Sequence, residues 1–324
     1  MHRVIIDTDV AMGAPGSDID DGFALALAVG LPDQRLELVT TVNGNTDVDT
    51  ATTLALELLH RLGRDDVPVV RGAAVPLLRP QHEHPARERA SEVPPTTRHA
   101  GNGRAAAAIV EHVMASPGEV TLVAIGPLTN VALALALEPA VARAVRSVVV
   151  MGGVFLGHTH QLRMPGEFNI WVDPDGAAVV LASGAPLRFV GLDVTRQVRL
   201  TAEQADAMVR DGGAFGRYAG ECTRAWIDFL DTSHPGDTHT LGTCAMHDPL
   251  AVAVVSRPEL VTWQPAHVAV ETRGDVARGV TVADLLTSRT PPEANCEIAT
   301  AVRADEFTEL FLRSIAGVDP AATG

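Results

Sequence analysis

The segment VIIDTDVAMGAPGSDIDDGFALAL, residues 4–27, contains an apolar run, two groups of aspartates and a helical repeat in close succession. The apolar run predicts a buried β-strand, and Asp7 and Asp9 follow where that strand leaves a sheet. Glycines and a proline allow the next residues to loop back, so that Asp20 and Asp21 begin a helix beside the first pair. Acidic side chains gathered in this way repel one another, and a hard divalent cation with oxygen ligands relieves the repulsion.

A second acidic segment, Met246-His247-Asp248-Pro249, opens an apolar helix far downstream. Each acidic segment also has a plainer interpretation, as a helix cap or as first-turn charges that suit the helix dipole. The strand before the first group and the presence of a second acidic segment favour the metal interpretation, and with it metal-assisted hydrolysis. His247 is able to exchange a proton near neutral pH.

Short β-branched runs alternate with Ala/Leu-rich helical stretches along the first two thirds of the chain. Strands are predicted at Val4–Asp7, Leu36–Val42, Val67–Val70, Val120–Ile125, Ser147–Met151 and Leu187–Val190. Helices are predicted at Asp21–Val29, Val48–Leu62, Gly103–Met114, Asn130–Leu137 and Asp175–Ala182. This alternation predicts an α/β fold with a mostly parallel, Rossmann-like central sheet flanked by helices. In such sheets ligands bind outside the carboxyl ends of the strands, where most of the polar clusters fall.

The last third of the chain is predicted to be helical from Thr201 to Leu230 and to continue in a polar loop, Asp231–Thr243. Later runs, Val261–Thr272 and Gly279–Val282, predict a small β-hairpin extension, and Ala304–Ile315 predicts a terminal helix. Arg79–Asn102 is predicted to be an exposed loop. No linker composition divides the sequence, so one domain over residues 1–324 is expected.

The composition limits the class of protein. A formal net charge of −15 over 324 residues argues against a nucleic acid or an anionic membrane as partner. The chain opens with a strand rather than a signal segment, and no apolar stretch is long enough for a membrane span. Three cysteines without a C-x-x-C pair suggest reduced thiols, so a cytoplasmic protein is expected. All 25 basic residues are arginines, which removes mechanisms that need a lysine.

Two further polar patches follow predicted strands. Glu167 and Asn169 offer a carboxylate and an amide, and Asn45 follows the strand that ends near residue 42. Taken alone, the first patch has the plain interpretation of loop hydrogen bonding and the second that of a turn.

Taken together, these pieces resemble the inosine-uridine preferring nucleoside hydrolase family. The matching segments are DTD and DIDDGFAL (within residues 7–25), TTVNGN (40–45), IGPLTN (125–130), VVMGG (149–153), GEFNIWVDP (166–174), MHDP (246–249) and GVTVAD (279–284). They occur in the family's order and extend across nearly the whole chain. The resemblance implies hydrolysis of the N-glycosidic bond of ribonucleosides to free base and ribose.

The resemblance also implies a set of site residues. A Ca²⁺ ion is expected to bind Asp9, Asp21, the backbone carbonyl of Ile125 and Asp248, with a water molecule and the ribose diol completing its ligands. The ribose is expected to contact Asp20, Asn45, Glu167 and Asn169. Asp9 is then the general base that activates the water, and His247 protonates the leaving base.

Several positions depart from the family pattern. The loop between Asp9 and Asp20 is longer than the common compact form, so an altered rim is expected around a retained metal site. Gln161 stands where the family commonly has an asparagine that contacts the 5′-hydroxyl. His99 resembles a family histidine on the base side of the pocket, and the resemblance implies that the helix with Trp226 borders the base. The His82/His84 and His158/His160 pairs lack zinc-site companions and are interpreted as solvated loop residues.

Two alternatives remain open from the sequence. The run Ile5 to Asp9 also resembles the opening of haloacid dehalogenase-type phosphatases, although the expected downstream lysine is missing. A non-catalytic nucleoside- or ribose-binding protein of the same fold is the other alternative. The resemblance implies a small nucleoside as the partner and a homo-oligomer, dimer or tetramer, as the assembly.

Overall fold

The computed structural model describes residues 1–78, 93–236, 240–286, 290 and 292–318. The strands of this part of the chain are β1 (His2–Thr8), β2 (Gln34–Thr41), β3 (Val69–Arg71), β4 (Val120–Ala124), β5 (Ser147–Met151), β6 (Leu187–Val190), β7 (Arg199–Thr201), β8 (Thr243–Ala245), β9 (Val261–Val270), β10 (Thr281–Asp284) and β11 (Cys296–Val302).

The α-helices of the same residues lie between and after these strands. They are α1 (Asp20–Gly30), α2 (Val48–Arg61), α3 (Ala105–Ala115), α4 (Thr129–Leu137), α5 (Val141–Ala144), α6 (Phe168–Val172), α7 (Pro174–Leu181), α8 (Leu192–Thr195), α9 (Ala202–Asp211), α10 (Gly213–Ser233), α11 (His247–Ser256) and α12 (Ala304–Ala316). Across the described residues, no helix combines the length and the apolar character needed to cross a bilayer.

A nine-stranded sheet organises the fold, in the order β10-β9-β11-β6-β5-β4-β1-β2-β3. The strands from β11 to β3 pair in parallel, while β9 pairs antiparallel with both β10 and β11. The predicted α/β class, the mostly parallel sheet and the hairpin extension are therefore confirmed. Sequence reasoning missed β11, which lies between β6 and the hairpin.

Both faces of the sheet are covered, because alternate residues of its strands point into two different apolar cores. In β1, Val4 and Ile6 belong to the core that includes α1, α11 and α12, while Ile5 belongs to the core on the opposite face, with α3, α4 and α7. All three side chains are buried. A strand that is buried on both faces has a continuous run of apolar residues, and Val4–Ile6 of β1 form such a run.

One of the two predicted loops differs in part from the structure, and the described part of the other agrees with it. The stretch Asp231–Thr243 was expected to be a polar loop, but α10 continues to Ser233 and Thr243 begins β8. The helix ends just before Pro235, because the residue preceding a proline is disfavoured in helical conformation. Residues 237–239 lie outside the described residues. Of the predicted loop Arg79–Asn102, residues 93–102 contain no helix or strand, and residues 79–92, with His82 and His84, lie outside the described residues.

The strand order places a crevice beside β1. The chain runs from β1 toward β3 on one side and continues with β4 on the other, so the order reverses between β1 and β4. Asp9 follows the carboxyl end of β1, and Ile125 follows that of β4. This is the position at which doubly wound sheets bind their ligands.

Candidate active site

Four buried aspartates form a group at this crevice, called here the acidic cluster: Asp9, Asp20, Asp21 and Asp248. Carboxylate oxygens of Asp20, Asp21 and Asp248 all lie within 4.8 Å of one another. Asp20 and Asp21 occupy the first turn of α1, and Asp248 occupies the first turn of α11. Two segments more than 200 residues apart thus meet at one point.

Asp9 lies next to this group and is linked to Asp21 through Asn45. The backbone N–H of Asn45 donates to Asp9 Oδ2 at 2.6 Å, and its side-chain Nδ2 donates to Asp21 Oδ2 at 3.0 Å. Thr8 Oγ1 donates to the other oxygen of Asp21. These bonds fix the two carboxylates relative to the ends of β1 and β2.

Burial is the main influence on the pKa values of the cluster, and the charges of neighbouring aspartates add to it. Burial, followed by the charge of Asp21, raises the pKa of Asp9. Burial, followed by the charges of Asp20 and Asp21, raises the pKa of Asp248, and burial raises the pKa of Asp21 to about 6. Asp9 Oδ1 is buried and has no hydrogen-bond partner among the described residues. A buried, hard-oxygen donor set with an orphaned carboxylate oxygen fits a divalent cation.

The second polar patch lies at the ends of β4 and β5. Asn169 Nδ2 donates to the carbonyl of Ile125 at 2.8 Å and to that of Met151 at 3.2 Å. The carboxylate of Glu167 caps α6, accepting the backbone N–H groups of Asn169 at 2.9 Å, Ile170 at 3.1 Å and Gly153 at 3.1 Å. Backbone hydrogen bonds therefore fix Glu167 and Asn169, and the carbonyl of Ile125 accepts a hydrogen bond from Asn169.

Asp7 supports the cluster from inside the sheet. Thr40 Oγ1 donates to Asp7 Oδ1 at 2.5 Å and Asn130 Nδ2 donates to the same oxygen at 2.8 Å. Burial raises the pKa of Asp7 to about 7, although these two hydrogen bonds act in the opposite direction. Sequence reasoning did not single out Thr40 or Asn130, although both fall within the matching segments TTVNGN and IGPLTN.

His247 begins α11, directly before Asp248, and its ring is partly buried. Its Nδ1 lies 2.7 Å from Thr195 Oγ1. Burial, followed by the positive charges of Arg199 and Arg196, lowers the pKa of His247 to about 3. The ring of the free protein is therefore neutral at neutral pH.

The other three predicted site residues have their described contacts elsewhere. His99 is exposed and lines a hollow beside the C-terminal end of α2, which no residue of the acidic cluster lines. Gln161 is exposed, and its backbone N–H donates to Thr159 Oγ1 at 3.4 Å. Trp226 is partly buried on α10 and stacks on Phe229, with ring centroids 5.4 Å apart.

Comparisons with known proteins identify the family of this chain. The family model described as inosine-uridine preferring nucleoside hydrolase matches residues 4–309. The chain is 37% identical over 319 residues to the non-specific ribonucleoside hydrolase RihC of Salmonella typhi, with 95% of each chain covered. Its fold superposes on the purine-preferring ribonucleoside hydrolase of Gardnerella vaginalis with a TM-score of 0.87 and 30% identity, covering 98% of this chain and 99% of the other. A plant nucleoside hydrolase gives a TM-score of 0.86 and 26% identity, covering 97% and 99%.

A doubly wound sheet with buried carboxylates at its carboxyl edge, matched over almost its whole length by hydrolases, defines a hydrolase that acts on N-glycosidic bonds. The chain belongs to the inosine-uridine preferring nucleoside hydrolase family. The same matches do not favour the phosphatase or the non-catalytic binding protein that the sequence left open.

Proposed function

We propose that this protein hydrolyses the N-glycosidic bond of ribonucleosides, releasing the free base and ribose, with Ca²⁺ bound at the acidic cluster. The observation that carries the proposal is the convergence of Asp20, Asp21 and Asp248 within 4.8 Å. Support for the substrate class comes from the family match and from relatives that are named ribonucleoside hydrolases.

The proposed ligands of the ion are Asp9, Asp21, the carbonyl of Ile125 and Asp248. When bound, Ca²⁺ would neutralise these carboxylates, orient a water molecule and hold the hydroxyls of the ribose. Calcium suits the site because all the donors are oxygens and a backbone carbonyl is among them.

Asp9 is proposed as the general base. Its Oδ2 accepts the N–H of Asn45, whereas its Oδ1 has no hydrogen-bond partner among the described residues. Oδ1 is therefore the oxygen able to accept a proton from the attacking water.

Asp20, Asn45, Glu167 and Asn169 are proposed to bind the ribose hydroxyls. The amide nitrogen of Asn169 is already used by two backbone carbonyls, so its side-chain oxygen is the atom it offers to a hydroxyl. The carboxylate of Glu167 accepts three backbone N–H groups, which favour its ionised form, although burial raises its pKa. It therefore stabilises the positive charge that develops on the sugar as the bond breaks.

His247 is proposed to assist the departure of the base. In the free protein its ring is neutral, so it first offers the base a hydrogen bond, which strengthens as negative charge develops there. Complete transfer of a proton requires the bound substrate to raise the pKa of the ring. His99, Gln161 and Trp226 remain predictions as contacts to the base and the 5′-hydroxyl.

A panel of nucleosides, assayed for liberated ribose by reducing-sugar chemistry, tests the proposed function. We expect ribose and free base from at least one common ribonucleoside, loss of activity with a strong chelator, and recovery when Ca²⁺ is restored. Phosphate release from phosphate esters without ribose release from any nucleoside would contradict the proposal. Nucleoside binding without turnover would contradict it as well.

His247→Ala tests the role proposed for the histidine. General-acid assistance is typically worth about 10²–10⁴ in rate, so inosine hydrolysis should slow within that range. Hydrolysis of p-nitrophenyl riboside should change much less, because nitrophenolate departs without a proton. An equal loss for both substrates would show that His247 does not assist the leaving base.

A further inference from the structure

The backbone around His247 is fixed from both sides. The N–H of Met246 donates to the carbonyl of Val198 at 2.9 Å, and the N–H of Asp248 donates to Asp20 Oδ2 at 3.1 Å. The Cα atom of His247 therefore has a defined position at the edge of the acidic cluster. Rotation of the imidazole about its last torsion is broad and roughly two-fold in general, so the backbone alone does not decide which ring nitrogen faces the substrate.

Thr195 supplies the missing constraint. It is completely buried at the end of α8, and its backbone N–H donates to the carbonyl of Gly191 at 3.1 Å. Its hydroxyl lies 2.7 Å from Nδ1 of His247. A buried hydroxyl on an anchored helix has little freedom to follow the ring if the ring turns.

A hydroxyl is suited to orienting an imidazole because it can both donate and accept a hydrogen bond. It donates to an unprotonated Nδ1 and accepts from a protonated Nδ1, so the contact is kept in both states of the ring. A carboxylate in the same place would favour the positively charged ring and oppose release of its proton. Nε2, on the far side of the ring from Thr195, is left as the nitrogen available to the substrate.

We infer that Thr195 is a positioning residue for His247, orienting the ring so that Nε2 meets the leaving base. The inference rests on the proposed function, because it requires His247 to assist departure of the base. It adds a residue that lies outside the segments carrying the family resemblance and 52 positions before the histidine it orients.

Two substitutions separate the hydroxyl from the shape of the side chain. Thr195→Val keeps the branched shape and removes the hydroxyl, whereas Thr195→Ser keeps the hydroxyl. We expect Thr195→Val to lower kcat for inosine by about five- to tenfold, as for one lost orienting hydrogen bond, with KM within about twofold. Thr195→Ser should retain most of the rate. Hydrolysis of p-nitrophenyl riboside by Thr195→Val should change by less than about twofold, because that leaving group needs no proton.

The outcomes distinguish the inference from the proposed function. Combining Thr195→Val with His247→Ala should be no slower than His247→Ala alone, because the hydroxyl acts only through the ring. Wild-type inosine rates in Thr195→Val, or equal losses with both substrates, would overturn the inference while leaving the role of His247 intact. If His247→Ala itself hydrolyses inosine normally, the proposed role of the histidine fails, and the role of Thr195 fails with it.

Discussion

Asp248 illustrates how a residue proposed to bind the ion is unfavourable for the folded chain without it. Its carboxylate is buried beside those of Asp20 and Asp21, and burial together with these charges raises its pKa. Without a cation, the ionised group destabilises the native state, since the unfolded chain keeps it in water. The aspartates are thus better suited to a bound ion than to the free protein.

Replacing Asp248 by Asn removes one of these charges with little change in shape. In chelator-treated protein at neutral pH, we expect Asp248→Asn to raise the melting temperature by about 1–3 °C. The same substitution should abolish nucleoside hydrolysis and weaken stabilisation by added Ca²⁺. Differential scanning fluorimetry with and without Ca²⁺ measures both effects.

Asp275→Asn serves as the control for that experiment, since Asp275 is exposed and lies in the turn between β9 and β10. It should change neither the melting temperature nor the response to Ca²⁺. A chelated Asp248→Asn variant that melts below the wild type would show that repulsion within the acidic cluster is not a significant destabilising term.

The loop between β2 and α2 packs directly against the carboxylate of Asp9. Gly44 lies in the loop between β2 and α2, and a Cβ atom added there would overlap the carboxylate of Asp9. The next residue, Asn45, donates its N–H to the same carboxylate. This loop is therefore fitted against Asp9, and a glycine is required by space rather than by backbone conformation.

Gly44→Ala should accordingly displace Asp9. Because misplacing a reacting group by about 1 Å costs on the order of a hundredfold in rate, we expect a loss of about that size in kcat. Steady-state kinetics with a nucleoside substrate provides the measurement. Gly236→Ala is the matched control, since no atom of the described residues lies within 4 Å of a Cβ atom there. Activity of Gly44→Ala close to that of the control would contradict the described packing.

On the scale of the whole molecule, polar contacts of Glu37 link strands β1 and β2 to helix α3, away from the site. Glu37 of β2 accepts from Arg3 Nε of β1 at 2.9 Å and lies 2.7 Å from His112 Nε2 of α3. Burial raises the pKa of Glu37, but the bonds from Arg3 and His112 more than offset this, so the pKa is below its usual value. The Glu37 carboxylate therefore stabilises the fold in its ionised form.

Glu37→Gln should destabilise the protein by about 1–3 kcal/mol at neutral pH, because Arg3 loses a charged partner in a nearly buried site. A depressed carboxyl pKa contributes stability above the unfolded value of 4.5 and loses that contribution as the pH falls through the folded value. The difference between variant and wild type should therefore shrink under acidic conditions. Chemical denaturation at neutral and acidic pH measures it.

Glu119→Gln is the control for Glu37, because Glu119 also pairs with Arg3 but is exposed to solvent. Its effect should stay within about 1 kcal/mol at either pH, as for an exposed ion pair. A destabilisation by Glu37→Gln that grows as the pH falls would contradict the assigned direction of the pKa shift.

The sequence predicted those features that local patterns determine. Apolar runs followed by helical repeats identified β1, β2, β4, β5 and β6, and the aspartates at strand ends and helix starts identified the acidic cluster. Features that depend on distant pairing were missed. The strand β11 is defined by its partners β6 and β9, and Thr195 is defined by its contact with a histidine on another helix. Thr195 has no signature of that contact in its neighbouring residues.

Calorimetric titration of Ca²⁺ into chelator-treated protein tests most directly whether the distant aspartates form one cation site. We predict a saturable site in the wild type that is lost in Asp21→Asn and in Asp248→Asn, although these residues lie in helices α1 and α11. The exposed Asp275→Asn should bind as the wild type does. Absence of saturable binding in the wild type, or unchanged binding in both cluster variants, would contradict the account.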